Sequence, residues 1–242
     1  MKSFYLTDTG LVRDHNEDSV IISENGEGCY LMAVADGMGG HQAGEVASSI
    51  AISYLGKRFT SDFRKMSKVD AVSWLRFSVI EINSLIFKYT EDHPESKGMG
   101  TTLVLALVTP EYILFGNIGD SSGFVMKNNH LHKVTHDHTL VNLLVTAGEL
   151  TEEEARNHPR KNILMNARGI NDPIDIDIFD CSMDISSILL CSDGLTTMLL
   201  DEQIEKTLLE ENLSIEEKVE RLINKANNRG GKDNISVAYL EK

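Results

Sequence analysis

An α+β layered fold with mainly antiparallel sheets is the class that this sequence predicts. Three observations carry the prediction. Short apolar runs of strand length open and close the chain. Two long stretches after the first strands repeat apolar residues at helical spacing. Strands and helices come in separate blocks rather than as alternating βα units.

The elements follow in order. Phe4-Tyr5-Leu6, Ser19 to Ile22 and Cys29 to Ala35 read as strands. The third is continuously apolar, which predicts a central strand buried on both faces. Ala43, Ala47, Ile50 and Tyr54 mark a first helix; Val72, Leu75, Val79, Ile82, Ile86 and Tyr89 mark a second. Both stripes suit packing against a sheet. Strands resume over Thr101–Val108, Tyr112–Ile118 and Gly123–Met126, with turns at Thr109-Pro110 and Asn128-Asn129. A hairpin meander is their simplest arrangement. A mostly polar stretch from about His136 to Arg168 then suggests an insertion on the surface, with a short helix capped by Thr151 and Glu154. Ile174–Phe179 and Ser187–Cys191 predict strands, Thr196–Leu209 a helix, and Ser214 with Glu217 the cap of another. A last strand covers Ile235–Leu240.

Bulk properties narrow the function. The 242 residues suit one large domain, 1–242, able to bury its own core. The formal net charge of −14 disfavours nucleic acid and anionic membranes as partners. No apolar run approaches the ~20 residues of a membrane span, and Met1-Lys2-Ser3-Phe4 lacks the apolar core expected of a signal peptide. Cys29, Cys181 and Cys191 are odd in number and lack a Cys-x-x-Cys pair, so a reducing cytoplasm is the expected location.

Acidic residues recur where apolar strands stop. Asp36-Gly37, Gly119-Asp120 and Asp193-Gly194 follow such runs; Glu17-Asp18 and Asp233-Asn234 precede them. Each pair alone is a turn signal. Gathered on one edge of a layered fold, the carboxylates would repel one another unless cations neutralised them. An all-oxygen donor set suits magnesium or manganese rather than zinc. The clustered His130, His132, His136 and His138 could in principle serve zinc, but they lie in polar sequence beside a turn and suit a surface role.

Ordered motifs carry a resemblance. They are Thr7-Asp8-x-Gly10-x-x-Arg13-x-x-Asn16-Glu17-Asp18, Asp36-Gly37-Met38-Gly39-Gly40-His41, Gly98-Met99-Gly100-Thr101-Thr102 and Gly119-Asp120-Ser121. Thr135-His136-Asp137-His138, His158-Pro159, Ala167-x-Gly169, Cys191-Ser192-Asp193-Gly194-Leu195 and Gly230-Gly231-Lys232-Asp233-Asn234-Ile235-Ser236 follow. Each is short, but together they span nearly the whole chain. In this set the sequence resembles the metal-dependent protein phosphatase family (protein phosphatase 2C) in its compact bacterial form.

The resemblance implies a four-layer α-β-β-α sandwich: two antiparallel sheets face to face, each flanked by a helix pair. It implies two Mn2+ or Mg2+ ions per chain and a third, weaker one. The expected reaction is hydrolysis of phosphoserine and phosphothreonine in proteins by a metal-activated water, without a phosphoenzyme. By position, Asp36 would bridge both ions. The Gly37 carbonyl would bind one, with Glu17 nearby through water, while Asp193 and Asp233 would bind the other. Asp120 with Asp193 would hold the third. Arg13 corresponds to the phosphate-binding arginine. Asn234 and Asp18 would support the ligands from behind. The implied partners are phosphoproteins and a cognate bacterial serine/threonine kinase, and a monomer is expected.

The cysteine route to phosphate hydrolysis does not fit. Its loop needs arginine six residues after the cysteine, and Ala35, Ser187 and Thr197 stand there instead. Two positions depart from the resemblance. Met38 replaces the histidine that many eukaryotic members use as general acid, as is common in bacterial members. This leaves the proton donor open, with His41 the nearest candidate and bound water an alternative. Ser122 replaces the usual arginine after Gly-Asp-Ser, which bears on contacts around Asp120.

Overall fold

The computed structural model describes residues 1–40, 43–151, 154–155, 158, 160 and 176–242. Eleven strands are found among them: β1 Lys2–Asp8, β2 Asp18–Glu24, β3 Tyr30–Met38, β4 Gly100–Thr101, β5 Leu103–Val108, β6 Ile113–Ile118, β7 Ser122–Lys127, β8 His130–Lys133, β9 Asp177–Cys181, β10 Ser187–Cys191 and β11 Ile235–Glu241. The helices are α1 Ala43–Ser61, α2 Lys68–Asp92, α3 Leu140–Thr146, α4 Asp193–Thr196, α5 Asp201–Leu208 and α6 Ile215–Asn227. One sheet runs β1-β11-β10-β7-β8 and the other β2-β3-β5-β6-β9, with β4 added to the end of β3. Every pairing is antiparallel.

Side-chain alternation explains the layers. In β3, Met32 and Val34 point into a core shared with Ile188, Leu190 and Ala238 of the opposite sheet. Their neighbours Leu31, Ala33 and Ala35 point the other way, onto α1 and α2. One strand therefore needs apolar residues at every position, as its sequence shows. On the far side, Leu189, Cys191, Val237 and Tyr239 meet Ile204 of α5 and Val219 and Leu222 of α6. The predicted sandwich of two sheets between helix layers is the observed one. The caps also agree: Ser214 and Glu217 close a reciprocal box at the start of α6, and Thr151 and Glu154 exchange the same bonds.

Five local expectations are corrected. The meander breaks after β6: the chain leaves one sheet at Ile118 and enters the other at Ser122. The crossing carries Gly119-Asp120-Ser121 between the two sheets. His130–Lys133, where no strand was expected, forms β8 while His130 and His132 stay on the surface, because Asn128 and Asn129 both take positive φ and close a tight hairpin with β7. The helix expected over Thr196–Leu209 is two, α4 and α5. Leu200 is extended, and its N–H is taken by the Gln203 side chain at 3.0 Å, so α5 starts afresh. The polar insertion holds an unforeseen helix, α3, capped by Thr139. The expected strand beginning at Ile174 starts later among the described residues, at Asp177; Ile174 lies outside them.

Candidate metal and phosphate site

Asp36 does not end β3 in a turn. The strand continues through Gly37 and Met38 because β4 pairs with it, Gly37 opposite Thr101. The Asp36 backbone is held from one side: its N–H donates to Thr102 Oγ1 at 3.0 Å. Its carbonyl accepts from Thr102 N at 2.8 Å and Thr101 Oγ1 at 3.0 Å. On the other side of β3, Asp18 of β2 is its register partner. Gly37 is required by packing, since a Cβ there would lie 2.1 Å from the Gly44 carbonyl oxygen of α1. That close approach brings the first turn of α1 against the Glu17 carboxylate, 2.9 Å from where a Cβ on Gly44 would stand.

The second sheet supplies Asp193 and Asp233. Asp193 opens α4 directly after β10, and Asp233 lies two residues before β11. Their loops meet because Gly194 has no side chain: a Cβ there would sit 2.0 Å from the Asn234 carbonyl oxygen. Asn234 ties these loops to the N-terminal segment. Its amide donates to the carbonyls of Thr9 and His15, both at 2.9 Å, and accepts the Glu17 N–H at 2.9 Å. Asp120 reaches the same region from the crossing between sheets. Its turn is held by buried Asn117, which donates to the Gly119 and His136 carbonyls, and by His138 Nδ1, which accepts the Gly119 N–H.

Electrostatics ties the carboxylates into one group. Burial, then Asp18, Asp193, Asp120 and Asp233, raises the Asp36 carboxyl well above its usual range. Burial, Asp120 and Asp233 push Asp193 up to about 7, although Arg13 and a hydrogen bond to Asp36 pull it back. Asp120 rises to about 6 through burial and then Asp137. Asp18 rises to about 7 through burial, against hydrogen bonds from Ser192 and Ser236. Glu17 is also raised, by burial first. Arg13 donates to Asp233 at 2.8 Å and stands half in solvent, its own charge reinforced by that bond.

This is the surrounding of a missing positive charge. Buried oxygens Asp18 Oδ1 and Asp193 Oδ1 find no hydrogen-bond donor among the described residues. Carboxylates with backbone carbonyls beside them match the donor chemistry of Mg2+ or Mn2+. The fit is one of charge and donor type. Among the described residues, no three His, Cys, Asp or Glu side chains form a ready cluster for one metal ion.

Of the sequence candidates, Asp36, Asp120, Asp193, Asp233, Glu17 and Arg13 thus act on one another, with Gly37 adjoining. His41 lies outside the described residues. His138 is not a surface residue: its side chain is 12% exposed, and its Nε2 meets Asp177 at 2.9 Å. Two residues beyond the acidic candidates belong to the site: Ser192, whose hydroxyl donates to Asp18 at 2.7 Å, and Thr102, which holds Asp36. Both sit inside the quoted motifs beside an acidic residue or on a strand facing one. A small hydroxyl next to a buried carboxylate was the available signal.

Comparisons with known proteins identify the family. The family model described as protein phosphatase 2C matches residues 12–236. The serine/threonine phosphatase stp of Listeria welshimeri is 40% identical over 243 aligned residues, covering 100% of this chain and 96% of that protein. The crystal structure of serine/threonine phosphatase Stp1 from Staphylococcus aureus superposes with a TM-score of 0.93 at 36% identity, covering 100% of this chain and 94% of that one. That of PstP/Ppp from Mycobacterium tuberculosis gives 0.88 at 36% identity, covering 100% and 99%. Sequence, length and fold all agree, and the chain belongs to the protein phosphatase 2C family, as an enzyme of the bacterial serine/threonine phosphatase type.

Proposed function

We propose that this phosphatase hydrolyses phosphoserine and phosphothreonine in proteins in a metal-dependent reaction, reversing a serine/threonine kinase. The observation that carries the metal dependence is the buried group of mutually repelling carboxylates with orphaned oxygens. Asp36, Asp193 and Asp233 would hold the ions, with the Gly37 carbonyl and Glu17 on one side and Asp120 on the other. Bound Mg2+ or Mn2+ would offset that charge, polarise phosphoryl oxygens and lower the pKa of water.

The chain's own groups do the rest. Arg13 is exposed enough to swing from Asp233 to a phosphoryl group, where its planar fork can bind two oxygens. Asn234 keeps the Arg13 loop and the Asp233 loop in register during that exchange. Thr101 and Thr102 fix the Asp36 backbone, so its carboxylate is aimed before substrate arrives. No cysteine competes as nucleophile. Cys191 is fully buried and burial pushes its thiol far above the usual range, while burial also raises Cys29 and Cys181. The three thiols are free, which suits a reducing cytoplasm. No described helix is long and apolar enough to cross a membrane.

The test is phosphate release from a phosphothreonine peptide with added Mn2+, against Asp36→Asn. Turnover by the unaltered protein alone is expected. Release no faster than by Asp36→Asn would overturn the reading.

A further inference from the structure

A cleft of about 610 Å³ opens beside Arg13, lined by Val12, Arg13, Asp14, His15, Glu17, Gly39 and Asn234. Its outer wall is the loop between β1 and β2, and this loop is pinned at several points. Leu11 N–H donates to the Gly231 carbonyl at 2.8 Å, and Gly10 N–H to Asp8 Oδ1 at 2.8 Å. Asn227 donates to the same Asp8 oxygen at 3.0 Å, and Asn234 holds Thr9 and His15. A wall so fixed presents its side chains at little ordering cost on binding.

Two of those side chains, Val12 and Asp14, flank Arg13 and are unused among the described residues. Val12 is 64% exposed. Asp14 is exposed, and no hydrogen bond or ion pair reaches its carboxylate among the described residues. An apolar surface next to a free carboxylate matches one ligand chemistry: a long cationic side chain, whose methylene stem covers the apolar part while its head group meets the carboxylate. An acidic residue in the same place would face Asp14 and Glu17 and be repelled.

Resting on the phosphoprotein reading above, we infer that Val12 and Asp14 form a subsite for a lysine or arginine adjacent to the phosphorylated residue of the substrate. Arg13 takes the phosphoryl group, and the residues on either side of it read the neighbouring side chain. The subsite sets which phosphorylated segments are processed, and it acts through binding rather than through the chemical step.

The experiment compares phosphothreonine peptides carrying arginine, 2,4-diaminobutyrate, alanine or glutamate next to the phosphothreonine, on either side, at low salt with Mn2+. The unaltered protein should favour arginine over glutamate by about tenfold in kcat/KM, mostly through KM, with the preference shrinking as salt is added. Asp14→Asn should cut that preference several-fold, and Asp14→Lys should reverse it. Val12→Ser should remove the advantage of arginine over the short-stemmed diaminobutyrate. Val69→Ser, at another exposed valine, on α2, should leave the profile unchanged. Equal turnover of all peptides, or a preference that survives Asp14→Lys, would overturn the subsite while leaving the phosphatase reading intact. No turnover of any peptide would instead overturn the phosphatase reading itself.

Discussion

Asp18 and Asp36 stand directly opposite each other across the β2–β3 ladder. Two carboxylates in that relation destabilise a sheet, and here both are also desolvated. Ser192 relieves one of them with a 2.7 Å hydrogen bond to Asp18. The remaining repulsion is stored in the fold where a cation can relieve it, which links stability to metal and pH.

The first prediction concerns metal-free protein. Folded Asp18 and Asp193 hold protons up to about pH 7, whereas unfolded they release them near the ordinary aspartate value of about 4. The folded state binds more protons across that window, so stability falls as pH rises through it. Chelated protein should show a higher urea midpoint at pH 5.5 than at pH 7.5, and Mn2+ should raise the pH 7.5 midpoint. A flat or rising profile in chelator would refute the account.

Asp36→Asn should separate stability from activity. It replaces a carboxyl whose ionisation is costly with a neutral amide, so at a pH high enough to ionise Asp36 the chelated variant should melt several degrees above its parent. Activity should drop by more than about 100-fold, since losing even a group that only supports a ligand costs 10- to 100-fold. Calorimetry with and without Mn2+ reads both effects. A variant that gains no stability without metal would count against the stored repulsion.

Asn234→Ala should loosen both loops at once. It deletes the acceptor of Glu17 N–H and the donor to Thr9 and His15. Groups left unsatisfied cost about 1–3 kcal/mol each when buried. These are partly buried, so a total near 2–3 kcal/mol is expected in urea unfolding, together with weaker Mn2+ binding by titration calorimetry.

Gly194→Ala should act through a single contact. The new Cβ would lie 2.0 Å from the Asn234 carbonyl oxygen, so the Asp193 and Asp233 loops must part. A loss of about 1–3 kcal/mol is expected, as for other overpacked sites. Weakened metal binding should accompany it. Unchanged Mn2+ affinity would show that the two loops do not depend on this approach.

Thiol reagents should spare activity. Cys29 and Cys191 are buried, and Cys181 lies at the far end of β9, away from the carboxylates. Iodoacetamide on folded protein should label Cys181 first with turnover retained, as mass spectrometry and a parallel assay would show. Inactivation that tracks labelling of Cys191 would contradict the water-attack reading.

The layered fold, the central β3, both long helices and the α6 cap were legible because they are local signals: apolar periodicity and capping residues lie close together in the chain. The candidate residues were legible for the same reason, as acidic residues adjoining apolar runs. Sequence could not reveal that Asp36-Gly37 stays in a strand, because the bonds that keep it there come from Thr101 and Thr102, 65 and 66 residues away. It could not reveal that the chain changes sheets at Asp120, since β6 and β7 carry the same local pattern. Nor could it show Val12 and Asp14 sharing one wall beside Arg13. Residue type and period are properties of short windows. Which carboxylates face one another across buried space, and which exposed side chains border the same cleft, is decided only when distant segments pack.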